Sequence, residues 1–357
     1  MKILITGVGG PTPRSFAISL KKYSDLKNVE LIGTDVNPLS IGLYQKELFS
    51  KCYIVPPASS SNYWNSVETI IKENHIDIAI ILPELEVIEW SKRKETQELP
   101  CKALIPDYSM ADLLVDKSKM TEILKDLDIV PPSVTFSRDT ENLKEVFDTL
   151  KGNFWVRSTK GTSGLGSLKV DDEDSLKNWI QINPNVQKFI ASKFLSGRNL
   201  ACKMLYFNGK LLRTACAERV NYIMAKVSPS GITGNTSFGR LLNEPHLVAE
   251  GEKAMDFLFQ HTGAKKHGFF TVDFKEDENG KPYITEINVR HVAFTQCFAA
   301  GGANFASDTV KLLNQDETFD FNYKMYEFEK DLIFLRDVDN LPILMKESEL
   351  LISDFKI

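Results

Sequence analysis

Three oxygen-bearing side chains and one arginine attract attention in the segment 270–291, which ends in YITEINVRH at 283–291. Glu286 and Asn288 are two residues apart, so in a β-strand both project from one face, which Arg290 continues. Asp273 lies on the incoming half of the same predicted hairpin. Mg²⁺ prefers oxygen ligands and usually binds through one or two carboxylates together with substrate phosphates. The pattern predicts a site for Mg²⁺, or for Mn²⁺, with Arg290 neutralising phosphoryl oxygens beside it. The alternative is a solvated strand face.

A glycine-rich segment, STKGTSGLGS at 158–167, follows the apolar run FWVR, which ends in Arg157. Glycines let a backbone approach a phosphate closely and donate N–H groups to its oxygens. The small and hydroxylated residues of the segment include Gly161, Thr162, Ser163, Gly164 and Gly166. No Gly-Lys-Ser/Thr follows and no helix pattern begins here, so this is not a Walker loop. The segment predicts a loop that covers a phosphate, and the alternative is a plain flexible hairpin.

Length and composition exclude several classes of protein. A chain of 357 residues is expected to form two or three domains. Its net charge of −5 argues against a nucleic-acid-binding protein, which normally carries a basic stripe. No run approaches the roughly 18 apolar residues of a membrane span. The apolar run in MKILITGVGG is too short for the core of a signal peptide.

The five cysteines are scattered, odd in number and without a C-x-x-C pair. This distribution disfavours a structural zinc site or a disulfide framework and is typical of a reducing compartment. We therefore expect a cytoplasmic protein that binds neither nucleic acid nor membrane.

The first 105 residues alternate strand and helix patterns, which predicts a parallel sheet with helices on both faces. The first strand pattern ends in the turn G-V-G-G at 7–10, and the second ends in Asp35. A glycine turn followed by such an acidic residue is typical of dinucleotide sites. This turn lacks the third glycine and contains two prolines, so a Rossmann-like scaffold without a dinucleotide is the favoured interpretation.

Beyond residue 108 the pattern changes. A helical stretch over 109–130 is ended by two prolines. Apolar strands flank the turns at 208–209 and 278–280, which predicts two hairpins, and a helix is predicted between them at 244–262. The final segment, 315–357, has the pattern of a short β-rich appendage whose role the sequence does not indicate.

Four short motifs, spread along the chain, are considered together. VDKSKM contains an Asp-Lys pair with Lys117, and Arg157 precedes the glycine-rich segment. IASKFLSGRN forms a strand pattern at 190–199, and TEINVR carries the oxygen ligands. Together with the order of elements, these motifs resemble the ATP-grasp superfamily, most closely its carbamoyl-phosphate-synthase-like, carboxylate–amine ligase branch. The resemblance covers roughly residues 1–314.

The resemblance implies an α/β fold (α+β in the ATP-binding part). A Rossmann-like domain at 1–108 would precede a two-lobed ATP-grasp module. The N-terminal lobe would span 109–195, with a glycine-rich lid at 157–168, and the C-terminal lobe would span 196–314 with the metal-binding hairpin. Residues 315–357 would form the appendage.

The resemblance also implies roles for individual residues in ATP binding. Lys117 and Arg157 would be the two basic residues on the phosphate or adenine side, and the loop from Gly161 would fold over the triphosphate. The hinge strand, whose backbone would read the adenine edge, would comprise Ser192, Lys193 and Phe194. Asn199 stands where an acidic ribose ligand is common, and Ser192 and Lys193 replace the usual acidic or Gln residue of the hinge. TEINVR departs from the signature Glu-x-Asn-Pro-Arg by a valine in place of proline.

Enzymes of this pattern use ATP to convert a carboxylate into an acyl phosphate, which an amine then attacks with release of phosphate. Phosphoryl transfer depends on positioning and charge neutralisation, so cations and Mg²⁺ ligands dominate and no nucleophilic Ser or Cys is required. Arg290 is expected to stabilise the transferred group. Further cations would come from the segment 213–240, namely Arg219, Lys226 and Arg240, and at least one of them is expected to face the acidic substrate.

The remaining substrate contacts are expected near the N-terminal domain, because ligands of open α/β sheets bind at the carboxyl ends of the strands. Arg14 could hold a carboxylate, and Glu84 or Glu86 an ammonium group. His291 could accept a proton from the attacking amine, since imidazole titrates near neutral pH.

Three alternatives remain at this point: a single-module enzyme that forms a carbamoyl or carboxy phosphate, a nucleotide-binding regulatory protein without turnover, and a dinucleotide-dependent oxidoreductase. The expected partners are a small-molecule carboxylate and an amine, with a homodimer as a further expectation from similar proteins.

Overall fold

The computed structural model describes residues 1–26, 28–161 and 166–338. Its N-terminal part is a parallel five-stranded sheet in the order β3-β2-β1-β4-β5. The strands are β1 (Lys2–Thr6), β2 (Glu30–Asp35), β3 (Lys51–Ile54), β4 (Ile78–Ile80) and β5 (Lys102–Ala103). The helices are α1 (Pro11–Tyr23), α2 (Tyr63–Asn74) and α3 (Glu84–Thr96). The parallel sheet predicted from the alternating pattern is thus confirmed.

The helical stretch predicted over 109–130 forms two helices rather than one. They are α4 (Tyr108–Leu114) and α5 (Lys117–Leu124), and a 3-10 turn follows at Lys125–Leu127. The break occurs because Asp116 caps α5, its side chain accepting from the N–H groups of Ser118 and Lys119. The cap places Lys117 at the first position of α5.

A small lobe follows, built on a four-stranded antiparallel sheet in the order β6-β9-β7-β8. Its elements are β6 (Ser133–Ser137), α6 (Lys144–Leu150), β7 (Phe154–Ser158), β8 (Leu168–Val170), α7 (Glu173–Ile182) and β9 (Lys188–Lys193). The lobe has a core of its own, in which Phe154 and Phe189 are fully buried.

A seven-stranded sheet forms the large lobe, in the order β14-β13-β10-β11-β12-β16, with β15 pairing in parallel with β11. Its strands are β10 (Asn199–Phe207), β11 (Lys210–Tyr222), β12 (Thr236–Leu242), β13 (Gly268–Glu276), β14 (Pro282–Asn288), β15 (Lys324–Met325) and β16 (Ile333–Leu335). Its helices are α8 (Pro245–Thr262), α9 (Thr295–Ala300) and α10 (Phe305–Leu313). Both predicted hairpins are present, as β10–β11 and β13–β14.

The N-terminal domain and the large lobe share their cores. One hydrophobic cluster runs from Tyr63 and Trp90 to Met255 and Phe270, and another joins α1 to Val310 of α10. The part of the predicted appendage that the structure describes, residues 315–338, adds β15 and β16 to the large sheet. Among the described residues, no helix combines the length and the apolar composition needed to cross a membrane.

Candidate active site

A cleft of about 1160 Å³ lies between the small lobe, the large sheet and the loops that follow β1 and β4. It is lined by thirteen of the residues predicted from the sequence: Glu84, Lys117, Arg157, Gly161, Ser192, Lys193, Phe194, Asn199, Arg219, Asp273, Glu286, Asn288 and Arg290. The predicted residues Thr162, Ser163 and Gly164 lie outside the described part of the chain. Most of the predicted site therefore converges on one cavity, although its members come from all parts of the sequence.

The three oxygen-bearing side chains of the hairpin lie side by side because of the register between β13 and β14. Asp273 faces Glu286, and Asn288 faces Thr271, across the hairpin. The Asn288 amide donates to Asp273 Oδ2 at 3.2 Å. The other oxygen, Asp273 Oδ1, is buried and has no hydrogen-bond partner among the described residues. A buried, unpartnered carboxylate oxygen beside a second carboxylate and an amide oxygen fits a hard cation such as Mg²⁺.

The two carboxylates of the hairpin differ in their electrostatic surroundings. Burial raises the pKa of Asp273, and the neighbouring Glu286 raises it further against the opposing effect of Arg219. Burial also acts to raise the pKa of Glu286, but Lys117 and Arg157, followed by Arg290, outweigh it and hold that pKa below its ordinary value. Glu286 is therefore ionised near neutral pH, and a bound cation would favour the ionised form of Asp273 as well.

Lys117 and Arg157 bring α5 and the small lobe against Glu286. Lys117 Nζ is 3.5 Å from Glu286 Oε1 and donates to the carbonyl of Gly161 at 2.7 Å. Arg157 Nη1 is 4.0 Å from Glu286 Oε2, and its Nη2 donates to the carbonyl of Thr285. Arg157 Nε is buried without a partner among the described residues. These cations can contact a polyphosphate in the cleft while they orient the carboxylate of Glu286.

Two further cations line the cleft near the hairpin: Arg219, on β11, and Arg290, two residues beyond β14. Arg219 Nη1 is 3.4 Å from Asp273 Oδ2, and Nη2 donates to the carbonyl of Gly234 at 2.7 Å. Arg290 Nη2 contacts Glu84 Oε1 at 3.1 Å. The contact between Arg290 and Glu84 ties the start of α3 in the N-terminal domain to the end of the β13–β14 hairpin. Four cations thus surround two carboxylates and one amide, an arrangement suited to a bound polyanion.

The predicted hinge lies at the far end of the cleft. Lys193 N–H donates to the carbonyl of Pro132 at 2.9 Å, and Phe194 N–H to that of Asn153 at 3.3 Å. Both donors are therefore engaged within the small lobe. The N–H of Leu195, the next residue along the cleft wall, has no backbone partner among the described residues and is a better candidate to donate to a bound base.

Asn199 also lines this end of the cleft, next to a residue that the sequence did not single out. Its cross-strand neighbour is Lys275, which lines the cleft too and whose Nζ donates to the carbonyl of Gly197 at 2.6 Å. Burial lowers the pKa of Lys275. An amide and an amine therefore stand where a carboxylate was expected from similar proteins.

Besides Glu86, which is described below, five predicted residues do not line the cleft. Arg240 is half-exposed and pairs with Glu218 at 2.8 Å on neighbouring strands, and Lys226 is exposed beside the rim residue Ala225. The Nε of Arg14 donates to the carbonyl of Gly10, at the start of α1. The remaining two are Gly166 and His291.

The carbonyl of Gly166 accepts from the indole of Trp179 at 2.9 Å, so this glycine serves the packing of the small lobe. His291 is only 3% exposed; its ring stacks on Phe269 at 3.6 Å and meets Phe16 edge to face. Burial, with a smaller effect of Lys203, lowers the pKa of His291 well below its ordinary value. The expectation that His291 accepts a proton from a substrate is therefore corrected: it is a neutral core residue.

Two acidic residues of the N-terminal domain also prove structural. Asp35 accepts from the N–H of Gly9 at 2.7 Å and from the hydroxyl of Ser40 at 2.8 Å, so its carboxylate braces the glycine turn. Glu86 is buried and accepts from the hydroxyl of Tyr63 at 2.8 Å. Of the two glutamates considered for an ammonium group, only Glu84 lines the cleft.

The sequence reasoning also missed a buried lysine on β10, the strand that pairs with the β13–β14 hairpin. Lys203 is 1% exposed, and burial lowers its pKa to about 7. The available signal was a single charged residue within the otherwise apolar strand sequence LACKMLYF. A lysine in such a strand needs a polar partner in the core, and that partner is visible only in the folded protein.

No family model and no curated protein matches the sequence, but solved structures do match the fold. An N5-carboxyaminoimidazole synthetase from Staphylococcus aureus, complexed with ADP, is 16% identical with a TM-score of 0.67, over 92% of this chain and 79% of that chain. An L-amino acid ligase from Bacillus licheniformis is 16% identical with a TM-score of 0.63, over 90% and 77%. The biotin carboxylase domain dimer of the Hydrogenobacter thermophilus 2-oxoglutarate carboxylase, in complex with MgADP, ADP and bicarbonate, is 13% identical with a TM-score of 0.66, over 90% and 71%.

At these identities the likeness concerns the fold alone. The chain has the fold of ATP-grasp enzymes, with a parallel-sheet domain followed by antiparallel sheets. The fold that the motifs implied is confirmed.

Proposed function

We propose that this chain is an ATP- and Mg²⁺-dependent ligase that activates a carboxylate as an acyl phosphate and passes the acyl group to an amine, with release of ADP and phosphate. The observation that carries the proposal is the convergence of Lys117, Arg157, Arg219 and Arg290 on the hairpin of Asp273, Glu286 and Asn288 within one cleft. The solved structures of similar fold support it, because their names include an amino acid ligase and a carboxylase with MgADP.

The metal is assigned to Asp273, Glu286 and Asn288, whose oxygens include the buried, unpartnered Asp273 Oδ1. When bound, Mg²⁺ or Mn²⁺ would neutralise charge on the phosphate oxygens of the nucleotide. Among the described residues no group of three or more His, Cys, Asp or Glu side chains could hold a metal ion; the proposed set consists of two carboxylates and one amide.

The cations of the cleft bind and orient the nucleotide and the transferred group. Lys117 and Arg157, beside Glu286, would hold the phosphates from the small-lobe side. Arg290, with Arg219, would neutralise charge on the phosphoryl group as it moves to the substrate carboxylate. The base would lie along the stretch from Ser192 to Leu195 and the ribose at Asn199, so the nucleotide would extend along the length of the cleft.

The acceptor end of the cleft is assigned to the loops after β1 and β4. Glu84 lines this end, pairs with Arg290 at 3.1 Å, and could exchange that partner for the ammonium group of an amine substrate. Thr12, Leu85 and Ile88 form the neighbouring wall. The partners are thus a small-molecule acid and an amine.

We further propose the four domain boundaries predicted from the sequence, a cytoplasmic location and a homodimer. The homodimer is supported by the dimeric carboxylase domain of similar fold.

The test is release of ADP and phosphate from MgATP across a panel of amino acids and sugar acids, each with and without an amine. Wild type is compared with Glu286→Ala, which removes a metal oxygen, and with Glu278→Ala as a matched control. Glu278 is an exposed carboxylate in the turn of the same hairpin. We expect acid-dependent ADP release that Glu278→Ala retains and Glu286→Ala loses by at least about 100-fold, the size of effect seen when a charge-stabilising group is removed.

The outcomes separate the remaining functions. ADP release with bicarbonate alone, unaffected by any organic acid, would favour the enzyme that forms a carboxy phosphate. Binding of MgATP without ADP release under any condition would favour the regulatory protein. An absence of nucleotide binding would refute the proposal.

A further inference from the structure

Lys203 is a buried cation that the proposed function has not used. It lies on β10, and its side chain is 1% exposed. Its ammonium lies 4.9 Å from the ring centre of Phe294, 5.4 Å from Phe298 and 6.0 Å from Phe269. Lys203 takes part in none of the ion pairs among the described residues, so no carboxylate oxygen there lies within 4.0 Å of its ammonium. Aromatic faces offset part of the cost of burying a cation, but an apolar side chain would avoid that cost altogether.

The position of Lys203 places it in line with the metal hairpin. Lys203 faces Thr271 on β13, and Thr271 faces Asn288 on β14. Ala201, two residues before Lys203 on β10, faces Asp273, two residues after Thr271 on β13. Residues that face one another across a sheet project from the same side. Lys203 therefore lies on the face that carries the oxygen ligands, in the same cross-strand row as Asn288 and one row from Asp273 and Glu286.

A hydrogen-bonded chain leads from Lys203 to Arg290. Lys203 Nζ is 3.3 Å from Thr271 Oγ1, and Thr271 Oγ1 donates to the backbone carbonyl of Arg290 at 3.1 Å. An ammonium group can only donate, so it occupies a lone pair of the threonine hydroxyl and directs the hydroxyl proton toward Arg290. The carbonyl of Arg290 is thereby held two residues beyond the end of β14, and the guanidinium of the same residue contacts Glu84.

We propose that Lys203 is a positioning residue, which through Thr271 fixes the backbone of Arg290 and so directs the Arg290 guanidinium at the transferred phosphoryl group. This inference rests on the proposed function, since it assumes that Arg290 binds that group. Lys203 itself does not contact the cleft: it is absent from the cleft wall, whereas Arg290 and Asn288 are part of it.

The test uses MgADP and inorganic phosphate as probes, so it does not depend on the identity of the acid. Calorimetry would measure the Kd of MgADP, and then the Kd of phosphate for the MgADP complex. The variants are Lys203→Met, Thr271→Val and the double variant, with Lys210→Met, an exposed lysine at the start of β11, as the control. We expect either single substitution to weaken phosphate binding by about tenfold, as for one lost hydrogen bond, and to leave the Kd of MgADP within about threefold.

The double variant tests the chain itself. Because both substitutions break the same chain, the double variant should lose no more phosphate affinity than either single variant, whereas Lys210→Met should lose none. Additive losses, unchanged phosphate affinity, or an equal loss of MgADP affinity would each overturn the inference. If Lys203→Met does not fold, Thr271→Val decides alone by the same criteria. Wild type that binds MgADP but no phosphate would refute this inference only, whereas wild type that binds no MgADP would refute the proposed function as well.

Discussion

Asn288 is the neutral member of the oxygen set, and its neutrality has a structural reason. Its amide donates to Asp273 Oδ2 at 3.2 Å, while Glu286 lies across the hairpin from Asp273. A third carboxylate at this position would lose that hydrogen bond and add a like charge to a site whose two carboxylates already repel each other. With a divalent cation bound, the same third carboxylate would become an additional charged ligand.

We therefore predict that Asn288→Asp destabilises the metal-free protein and that Mg²⁺ reverses the effect. In EDTA the free energy of unfolding should fall by about 1–3 kcal/mol, the usual result of breaking a buried hydrogen bond. Excess Mg²⁺ should raise it more than it does in wild type. Urea unfolding with and without Mg²⁺ measures both effects, and Asn279→Asp in the exposed turn of the same hairpin is the control. Equal destabilisation with and without Mg²⁺ would contradict the assignment of Asn288 to the metal.

Residue types alone predicted much of this site. Alternation of polar residues in 283–291 was enough to place Glu286 and Asn288 on one face, because strand geometry is local. Local alternation could not predict where His291 and Arg240 lie. His291 is buried between Phe16 and Phe269, and Arg240 pairs with a neighbouring strand, and both placements depend on contacts distant in sequence. The same limit hid Lys203 and Lys275.

At the level of elements, the break between α4 and α5 positions a cation of the site. Asp116 accepts from Ser118 N–H at 3.0 Å and from the Ser118 hydroxyl at 2.6 Å, which ends the preceding helical stretch and begins α5 at Lys117. The side chain of Lys117 then reaches both Gly161 and Glu286. A helix cap thus determines where Lys117, the cation proposed to bind phosphate, lies.

We predict that Asp116→Ala lowers the free energy of unfolding by about 1 kcal/mol. It should also weaken MgADP binding several-fold, because without the cap the backbone of Lys117 is no longer fixed at the start of α5. Asp172→Ala is a matched control: Asp172 caps α7 in the small lobe through Ser175 N–H at 2.8 Å, away from the cleft. It should cost similar stability and leave MgADP affinity unchanged. Urea unfolding and calorimetry measure the two quantities, and equal losses of affinity in both variants would show that the Asp116 cap has no special role.

For the molecule as a whole, stability should depend on pH through a buried carboxyl group. Glu86 lies next to the core that the N-terminal domain shares with the large lobe, hydrogen-bonded to Tyr63. Burial raises the pKa of Glu86 from 4.5 to about 7, and the charge of Asp35 adds to this. The folded protein therefore retains a proton that the unfolded chain releases above about pH 4.5. The stability that this proton contributes is complete below that pH and is lost as the pH rises through about 7.

We predict that the free energy of unfolding of wild type falls by up to about 3 kcal/mol between about pH 5 and pH 8, and that Glu86→Gln removes most of this fall. Urea unfolding at the two pH values measures it. Glu89→Gln is the control, because Glu89 likewise accepts a hydrogen bond from an aromatic side chain, the indole of Trp64, but is only partly buried. A fall that Glu86→Gln leaves unchanged would assign the pH dependence to other groups.

The sequence by itself determined the parallel sheet, the two hairpins, and the placement of Asp273, Glu286 and Asn288 on one of those hairpins. These depend on periodicity and turn residues, which act over a few positions. Only the tertiary structure decided which cations lie close to those three side chains, and which ionisable groups, such as Lys203 and Glu86, are buried in the core. Arg290 and Glu84 are 206 residues apart, and Arg157 and Thr285 are 128 apart. No local pattern specifies contacts at such separations, because they arise when three separately patterned sheets pack around one cleft.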